Sequence, residues 1–273
     1  MKLKYYGTAA AEGFPAMFCD CDTCARALRS RGRNLRTRSQ SCVDDTLLID
    51  FCADTNMHVL RMGLPMSRIR SLLVTHAHED HFYVGELPRI LPRYVIRKDP
   101  SPLKIFGGEA VLEKMRTALD KNDCVEPVLV HEYETFETDG YTVTPLPALH
   151  DASASPFIYL IEKDGKKLLY AHDTGYFSDK VLDWLENNAG YIDLVSLDCN
   201  YGINDRPPKT HHMCFAQNLR MAADLRVRGV CDEETIFVSN HFTHNCGRTY
   251  DEMVRDTAGS GFLISYDGME IEF

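Results

Sequence analysis

The stretch Ser71-Leu-Leu-Val-Thr-His-Ala-His-Glu-Asp-His81 constrains this chain more than any other. Leu72, Leu73 and Val74 form a short apolar run of the kind that builds a buried strand, and the run stops at Thr75. His76, His78, Asp80 and His81 follow, four metal-binding side chains within six residues. In an extended segment alternate side chains share a face, which predicts that 76, 78 and 80 project to one side. Imidazole and carboxylate suit zinc, manganese or iron, and the cluster holds no thiolate. Three of the chain's 11 His fall here, which argues against a loop that is histidine-rich by chance.

Upstream, Lys2 to Tyr6 reads as a first strand, followed by a small-residue loop, Gly7 to Gly13, of the type that lets backbone approach a ligand. Cys19-Asp-Cys21-Asp-Thr-Cys24 then gathers three sulfurs around one point, as a tetrahedral zinc site requires, with a fourth ligand to come from a distant His or Cys. A helix is expected over Ala25 to Gly32, a strand over Val43 to Asp50 and a helix over Thr55 to Met62. Phe82 to Leu91 reads as a helix whose first turn carries Asp80 and His81. Strands are expected at 103–106, 128–131, 141–146, 157–162, 167–171, 194–198 and 235–239. Helices are expected at 109–119, 177–187 and 215–226. Gly261 to Phe273 reads as a closing hairpin on Asp267-Gly268. Neither a linker nor a repeat interrupts the pattern, which predicts one α/β domain over residues 1–273 with mixed sheets.

Composition narrows the function classes. With 44% hydrophobic residues the chain can bury a large core, and no apolar run approaches the length of a membrane span. The N-terminus enters a strand pattern with no apolar signal region, so a cytoplasmic location is expected. Ten Cys under those conditions point to thiols and metal sites more than to a disulfide framework. A formal net charge of -10 disfavours a nucleic-acid partner, although Arg26 to Arg38 holds six Arg and no acid and could form a local basic patch.

The motif His-x-His-x-Asp-His after Leu-Leu-Val-Thr resembles the signature of the metallo-β-lactamase superfamily of hydrolases. The resemblance implies an αββα sandwich, two mixed β-sheets flanked by helices, with metals at one edge between the sheets. Carried over in chain order, it implies one divalent metal on His76, His78 and His150. A second would sit on Asp80, His81 and His241, and Asp173 would bridge both. Two such metals can activate a water and polarise a phosphoryl or carbonyl oxygen together. His78 favours the hydrolytic branch, because the oxygen-reducing flavodiiron branch uses Glu there.

The cysteine segment resembles that of PhnP-type phosphodiesterases. The resemblance implies a structural zinc on Cys19, Cys21, Cys24 and His244, with Cys246 a competitor for the fourth position. His211-His212-Met213 resembles the position of a histidine that protonates the leaving group, carried to His212 with His211 as the alternative; Asp80 and His212 are the expected catalytic residues. His172, next to Asp173, departs from the small or hydroxyl residue expected there and is left unassigned. His58 and His131 are expected to be structural.

These features together predict a dinuclear metal-dependent hydrolase. Its two catalytic metals are zinc or manganese, with iron also admitted, and its substrate is a small cyclic or diester phosphate. The resemblance also makes a homodimer plausible. Three alternatives remain: a lactonase or thioester hydrolase, a tRNA 3′-processing nuclease, and a non-catalytic metal-binding accessory protein.

Overall fold

The computed structural model describes residues 1–119, 123–205 and 211–273. Two seven-stranded sheets lie at its centre. The first has the order β14-β1-β2-β3-β4-β5-β6, built from β1 (Lys2–Gly7), β2 (Gln40–Val43), β3 (Leu47–Ile49), β4 (Ser71–Leu73), β5 (Leu103–Gly107), β6 (Val125–Leu129) and β14 (Glu270–Glu272). The second has the order β13-β12-β11-β10-β9-β8-β7. It comprises β7 (Phe136–Thr138), β8 (Tyr141–Pro147), β9 (Phe157–Lys163), β10 (Lys166–Ala171), β11 (Leu194–Asp198), β12 (Ile236–Asn240) and β13 (Phe262–Ile264). Both sheets mix parallel and antiparallel pairs: β3, β4, β5 and β6 run parallel in one, and β10 to β13 in the other. Helices α1 (Asp22–Ser30), α2 (Thr55–Met62), α3 (Glu109–Ala118), α4 (Asp179–Asn188), α5 (Phe215–Val227) and α6 (Tyr250–Asp256) complete the fold. No helix among the described residues is long and apolar enough to cross a membrane.

Three apolar layers hold this arrangement. Leu3, Tyr5, Val43, Ile49, Tyr159 and Val238 belong to the cluster shared by the inner faces of the two sheets. The outer face of the first sheet packs Leu48, Leu72 and Ile105 against Val111, Leu112 and Met115 of α3. The outer face of the second packs Leu169, Val195 and Leu197 against α4 and α5 through Leu182, Leu185, Met221 and Leu225. Strands buried on both faces explain the continuous apolar runs in the sequence. The fold expected from the resemblance is thus the one observed.

Several local expectations are corrected. Val43 to Asp50 is a hairpin and not one strand: β2 ends at Val43, and Asp44 and Asp45, with φ of 49° and 58°, form the turn into β3. Gly261 to Phe273 is not a hairpin. β13 joins the second sheet beside β12, whereas β14 joins the first sheet beside β1, so the segment carries the chain from one sheet to the other. The expected helix from Phe82 is a 3-10 stretch confined to Val84–Ile90 and containing Pro88, which has no N–H to continue an α-helical ladder. Asp80 and His81 precede it in a turn, where the N–H groups of His81 and Phe82 both bond to His78 O. In the Arg26–Arg38 segment Arg29, Arg31 and Arg33 are exposed, whereas the other three Arg are engaged. Arg26 pairs with Glu252 and Arg38 with Asp54, and buried Arg36 donates to Thr8 Oγ1 and Ser265 O while lying over the Phe242 ring.

Candidate metal centre

Apolar strands bring the polar residues to one edge. β4 delivers the 76–81 turn, β8 runs toward His150, β10 ends two residues before Asp173, β11 ends in Asp198, and β12 ends one residue before His241. Asp173 and His241 both have positive φ, 50° and 65°, and so occupy backbone that L residues adopt rarely and that clusters at functional sites.

His76, His78 and His150 form one group whose ligand atoms lie within 4.8 Å of one another. His76 Nε2 is 3.0 Å from His78 Nδ1, which is 3.2 Å from His150 Nε2. A tetrahedral zinc with Zn–N bonds of about 2.0–2.1 Å would set such nitrogens about 3.4 Å apart. The outer nitrogens have partners of their own: His78 Nε2 is 3.3 Å from Asp151 Oδ2, and His150 Nδ1 is 3.4 Å from His211 O. Burial lowers the proton affinity of His76 well below the usual histidine range and lowers that of His150, so both favour the neutral form that ligates.

Asp80, His81, Asp173 and His241 form the second group. Asp173 stands between the two. Its Oδ2 is 2.5 Å from His81 Nε2 and 3.8 Å from His76 Nε2, and its Oδ1 is 3.1 Å from His241 Nε2. The His81 contact is close yet lacks hydrogen-bond geometry, leaving that nitrogen buried without a hydrogen-bond partner. His81 Nδ1–H donates to Asp50 Oδ2 at 2.6 Å, which fixes the ring and turns Nε2 toward Asp173. Burial opposes a proton on His81, but Asp50, Asp80 and Asp173 outweigh it and raise its affinity well above the usual range. Asp80 and Asp173 resist their own burial because His81 and His241 hold both carboxyls well below the usual range. A buried set of carboxylates that draws positive charge this strongly, with an imidazole nitrogen lacking a hydrogen bond at its centre, fits divalent cations.

The expectation that 76, 78 and 80 share a face is corrected. The chain turns after β4, so His76 and His78 meet His150 while Asp80 joins His81, Asp173 and His241. His212 lies beside this second group. Its Nδ1 is 3.0 Å from Asp198 Oδ2 and 3.2 Å from Asp173 Oδ1, and its ring stacks on His241 at 5.8 Å. Burial works against its proton, but Asp198 and then Asp173 and Asp80 raise its pKa to about 9. His211 touches the edge of the His150 ring and makes no contact with Asp173 among the described residues. His172 faces away from the cluster: Nε2 is 2.7 Å from Ser196 Oγ, and Asn240 Nδ2 is 3.0 Å from its Nδ1.

Two site residues escape a reading of the sequence, Asp50 and Asp198. Each closes an apolar strand, and each organises several donors. Asp50 accepts from Thr75 N, Thr75 Oγ1 and His81 Nδ1. Asp198 accepts from Asn200 N and Met213 N and faces His212. A carboxylate placed directly after a buried run was the available signal.

A separate group joins Cys19, Cys21, Cys24 and His244. His244 Nδ1 is 3.5 Å from both Cys19 Sγ and Cys21 Sγ, and a tetrahedral zinc predicts an S···N edge of about 3.6 Å. Backbone N–H groups of Ala16, Cys21 and Cys24 point at the sulfurs of Cys24, Cys19 and Cys21. The Cys24 amide hydrogen bond lowers the Cys21 thiol to about 6, the thiolate form that binds metal. Cys246 lies outside this group; its Sγ faces Arg248 O. His244 is thus the fourth member that the fold supplies.

The beta-lactamase superfamily domain model matches residues 46–231, well over half of the chain. Ribonuclease Z of Listeria monocytogenes serotype 4b (strain CLIP80459) is 27% identical over 120 residues, 39% of this chain and 39% of that protein. The chain therefore spans about two fifths of the length of such curated relatives. Among solved structures, a diphosphatase from the PhnP family superposes over 100% of this chain and 97% of its own, with a TM-score of 0.77 and 22% identity. Zinc-bound PqqB from Methylobacterium extorquens superposes over 100% of both chains, with a TM-score of 0.71 and 17% identity. With strand order, motif and domain match in agreement, the chain belongs to the metallo-β-lactamase superfamily.

Proposed function

We propose that the chain is a dinuclear metal-dependent hydrolase acting on a small cyclic or diester phosphate. The observation that carries this reading is Asp173: one carboxylate placed between two donor sets, with a carboxylate-backed imidazole, His212, 3.2 Å away. Metals held there supply Lewis acidity toward a phosphoryl oxygen and a nucleophilic water at neutral pH. His76, His78 and His150 would hold one, Asp80, His81 and His241 the other, and Asp173 both. Asp50 fixes His81 in the ligating tautomer, and Asp151 does the same for His78. Asp198 holds the Nδ1 proton of His212, leaving Nε2 to hand a proton to the departing oxygen. The two relatives named for phosphate chemistry, a ribonuclease and a diphosphatase, support phosphorus over a carbonyl carbon. The net charge of -10 supports a small substrate over a polynucleotide.

A second reading has its own observation: Asp173, Asp198, His212 and His241 also lie within ligand distance of one another, so His212 could hold a metal instead of donating a proton. One experiment separates these readings. Metals are counted by mass spectrometry beside hydrolysis of bis(p-nitrophenyl) phosphate, a lactone and a thioester, with added manganese or zinc. About three metals per chain and phosphodiester turnover are expected. His212→Ala should keep its metals and lose about 10²–10⁴ in kcat; loss of a metal would make His212 a ligand. Turnover of the lactone or thioester alone would move the substrate class to carbonyl esters. One tightly held zinc and no turnover would make the chain an accessory protein.

A further inference from the structure

A cavity of about 500 Å³ lies between α2 and the 84–97 segment. Phe51, Val59, Ile69, Leu87 and Ile90 give it an apolar lining. At its rim Val59, Val95 and Ile96 remain 37%, 39% and 99% exposed, so apolar surface continues outward from the cavity. Its volume is that of a small-molecule site, and none of the candidate metal ligands lines it.

The charge around it is one-sided. Residues 84–99 carry Arg89, Arg93, Arg97 and Lys98 against Glu86 and Asp99, of which Asp99 pairs with Arg70, in a chain whose net charge is -10. Glu86 and Arg89 also line the cavity and lie 3.7 Å apart, so their charges offset, and Arg89 covers the Tyr94 ring. Arg97 lines the cavity, is only partly exposed, and meets no carboxylate among the described residues. Its planar fork is therefore free to take a carboxylate or phosphate. Apolar lining and a cation left without a carboxylate partner together select an amphipathic anion.

We propose that this cavity binds such a ligand: a chain or ring of roughly ten carbons seated on Phe51, Leu87 and Ile90, with one carboxylate or phosphate at Arg97. Phe51 also links the cavity to the metal-ligating turn. It follows Asp50, its N–H donates to His81 O at 2.7 Å, and its carbonyl accepts from Tyr83 N at 2.7 Å. An occupant packed on Phe51 therefore bears on the backbone that holds His81. The binding stands apart from the reaction proposed above, so its test reads binding and not turnover.

The test titrates decanoate, below its aggregation concentration, and 1-decanol into the metal-loaded protein by calorimetry. Variants Arg97→Gln and Val59→Trp are run beside wild type. Decanoate is expected to bind once per chain. Arg97→Gln should weaken it about tenfold or more while leaving decanol unchanged. Val59→Trp, which fills the cavity from its exposed rim, should abolish both at unchanged metal content and melting temperature. No decanoate binding, or equal binding by all three proteins, overturns the proposal. Flotation with phosphatidylglycerol vesicles in the absence of decanoate binding would make the patch a membrane surface. A dimer that Ile96→Asp dissociates would make it a contact between copies.

Discussion

Asp50 shows how a single side chain sets the geometry of the centre. It is fully buried, and it takes the Thr75 N–H, the Thr75 hydroxyl and the His81 Nδ1–H at 2.8, 2.9 and 2.6 Å. Removing its charge while keeping its shape should leave the fold and free the His81 ring. Asp50→Asn is therefore expected to weaken metal binding about 10–100-fold, measured by competition with a chelator. Unchanged affinity would mean that packing alone orients His81. The candidate ligands are legible in the sequence through the His-x-His-x-Asp-His and Cys-x-Cys-x-x-Cys motifs and the resemblance they carry, and the fold gathers them into groups that could hold metal ions. Asp50 and Asp198 were not legible, because an acid at the end of an apolar run looks like any turn residue until the strands align. His58, expected to be structural, is held in the core by Gln40 and Thr37.

At the scale of elements, strands were legible wherever apolar runs were continuous and helices wherever a stripe ended in a cap. Thr55 to Met62 has the same ends in both readings, and Gly63 closes the helix with φ 71°. Segments whose partners are distant in sequence depart from their local pattern. Phe262–Ile264 and Glu270–Glu272 look like a hairpin from their turn, but each has a better partner in a different sheet, which local pattern cannot reveal. Gly7, the last residue of β1, approaches backbone: a Cβ there would lie 1.8 Å from Arg38 O. Gly7→Ala should cost about 3 kcal/mol or more in urea unfolding, and a loss under 1 kcal/mol would show that the two segments separate easily.

The sulfur site joins elements in the same way. It ties the loop before α1 to the segment after β12, where Glu12 also bonds Thr243 and Ala10 N bonds Phe242 O. Cys21→Ser should lose one zinc per chain and lower Tm by roughly 5–10 °C, with faster proteolysis near residues 11–24. A full metal complement would disprove a zinc held there.

At the scale of the whole molecule, two buried groups away from the candidate metal centre make opposing contributions to the pH dependence of stability. His58 Nδ1 faces Gln40 Oε1 at 2.6 Å and its Nε2 faces Thr37 Oγ1 at 2.8 Å. The same hydroxyl, with Thr37 N and Thr8 Oγ1, surrounds the Asp267 carboxyl, and Arg36 and Asp54 are the other charges nearby. Burial pushes His58 down to about 4, and burial pushes Asp267 up to about 6 against its hydrogen bonds. The signs oppose. His58, depressed when folded, contributes stability that is complete above about pH 6.5 and is lost as pH falls toward 4. Asp267, raised when folded, contributes stability that is complete below about pH 4 and is lost as pH rises toward 6. Each contribution is about 3 kcal/mol, so between pH 4 and 6 the two nearly cancel. Single variants should expose them. His58→Gln should become less stable relative to wild type as pH rises from 4 to 6, and Asp267→Asn less stable as pH falls over the same range. Urea unfolding of the three proteins at several pH values reads this directly. Parallel profiles for all three would mean that neither group changes its proton affinity on folding.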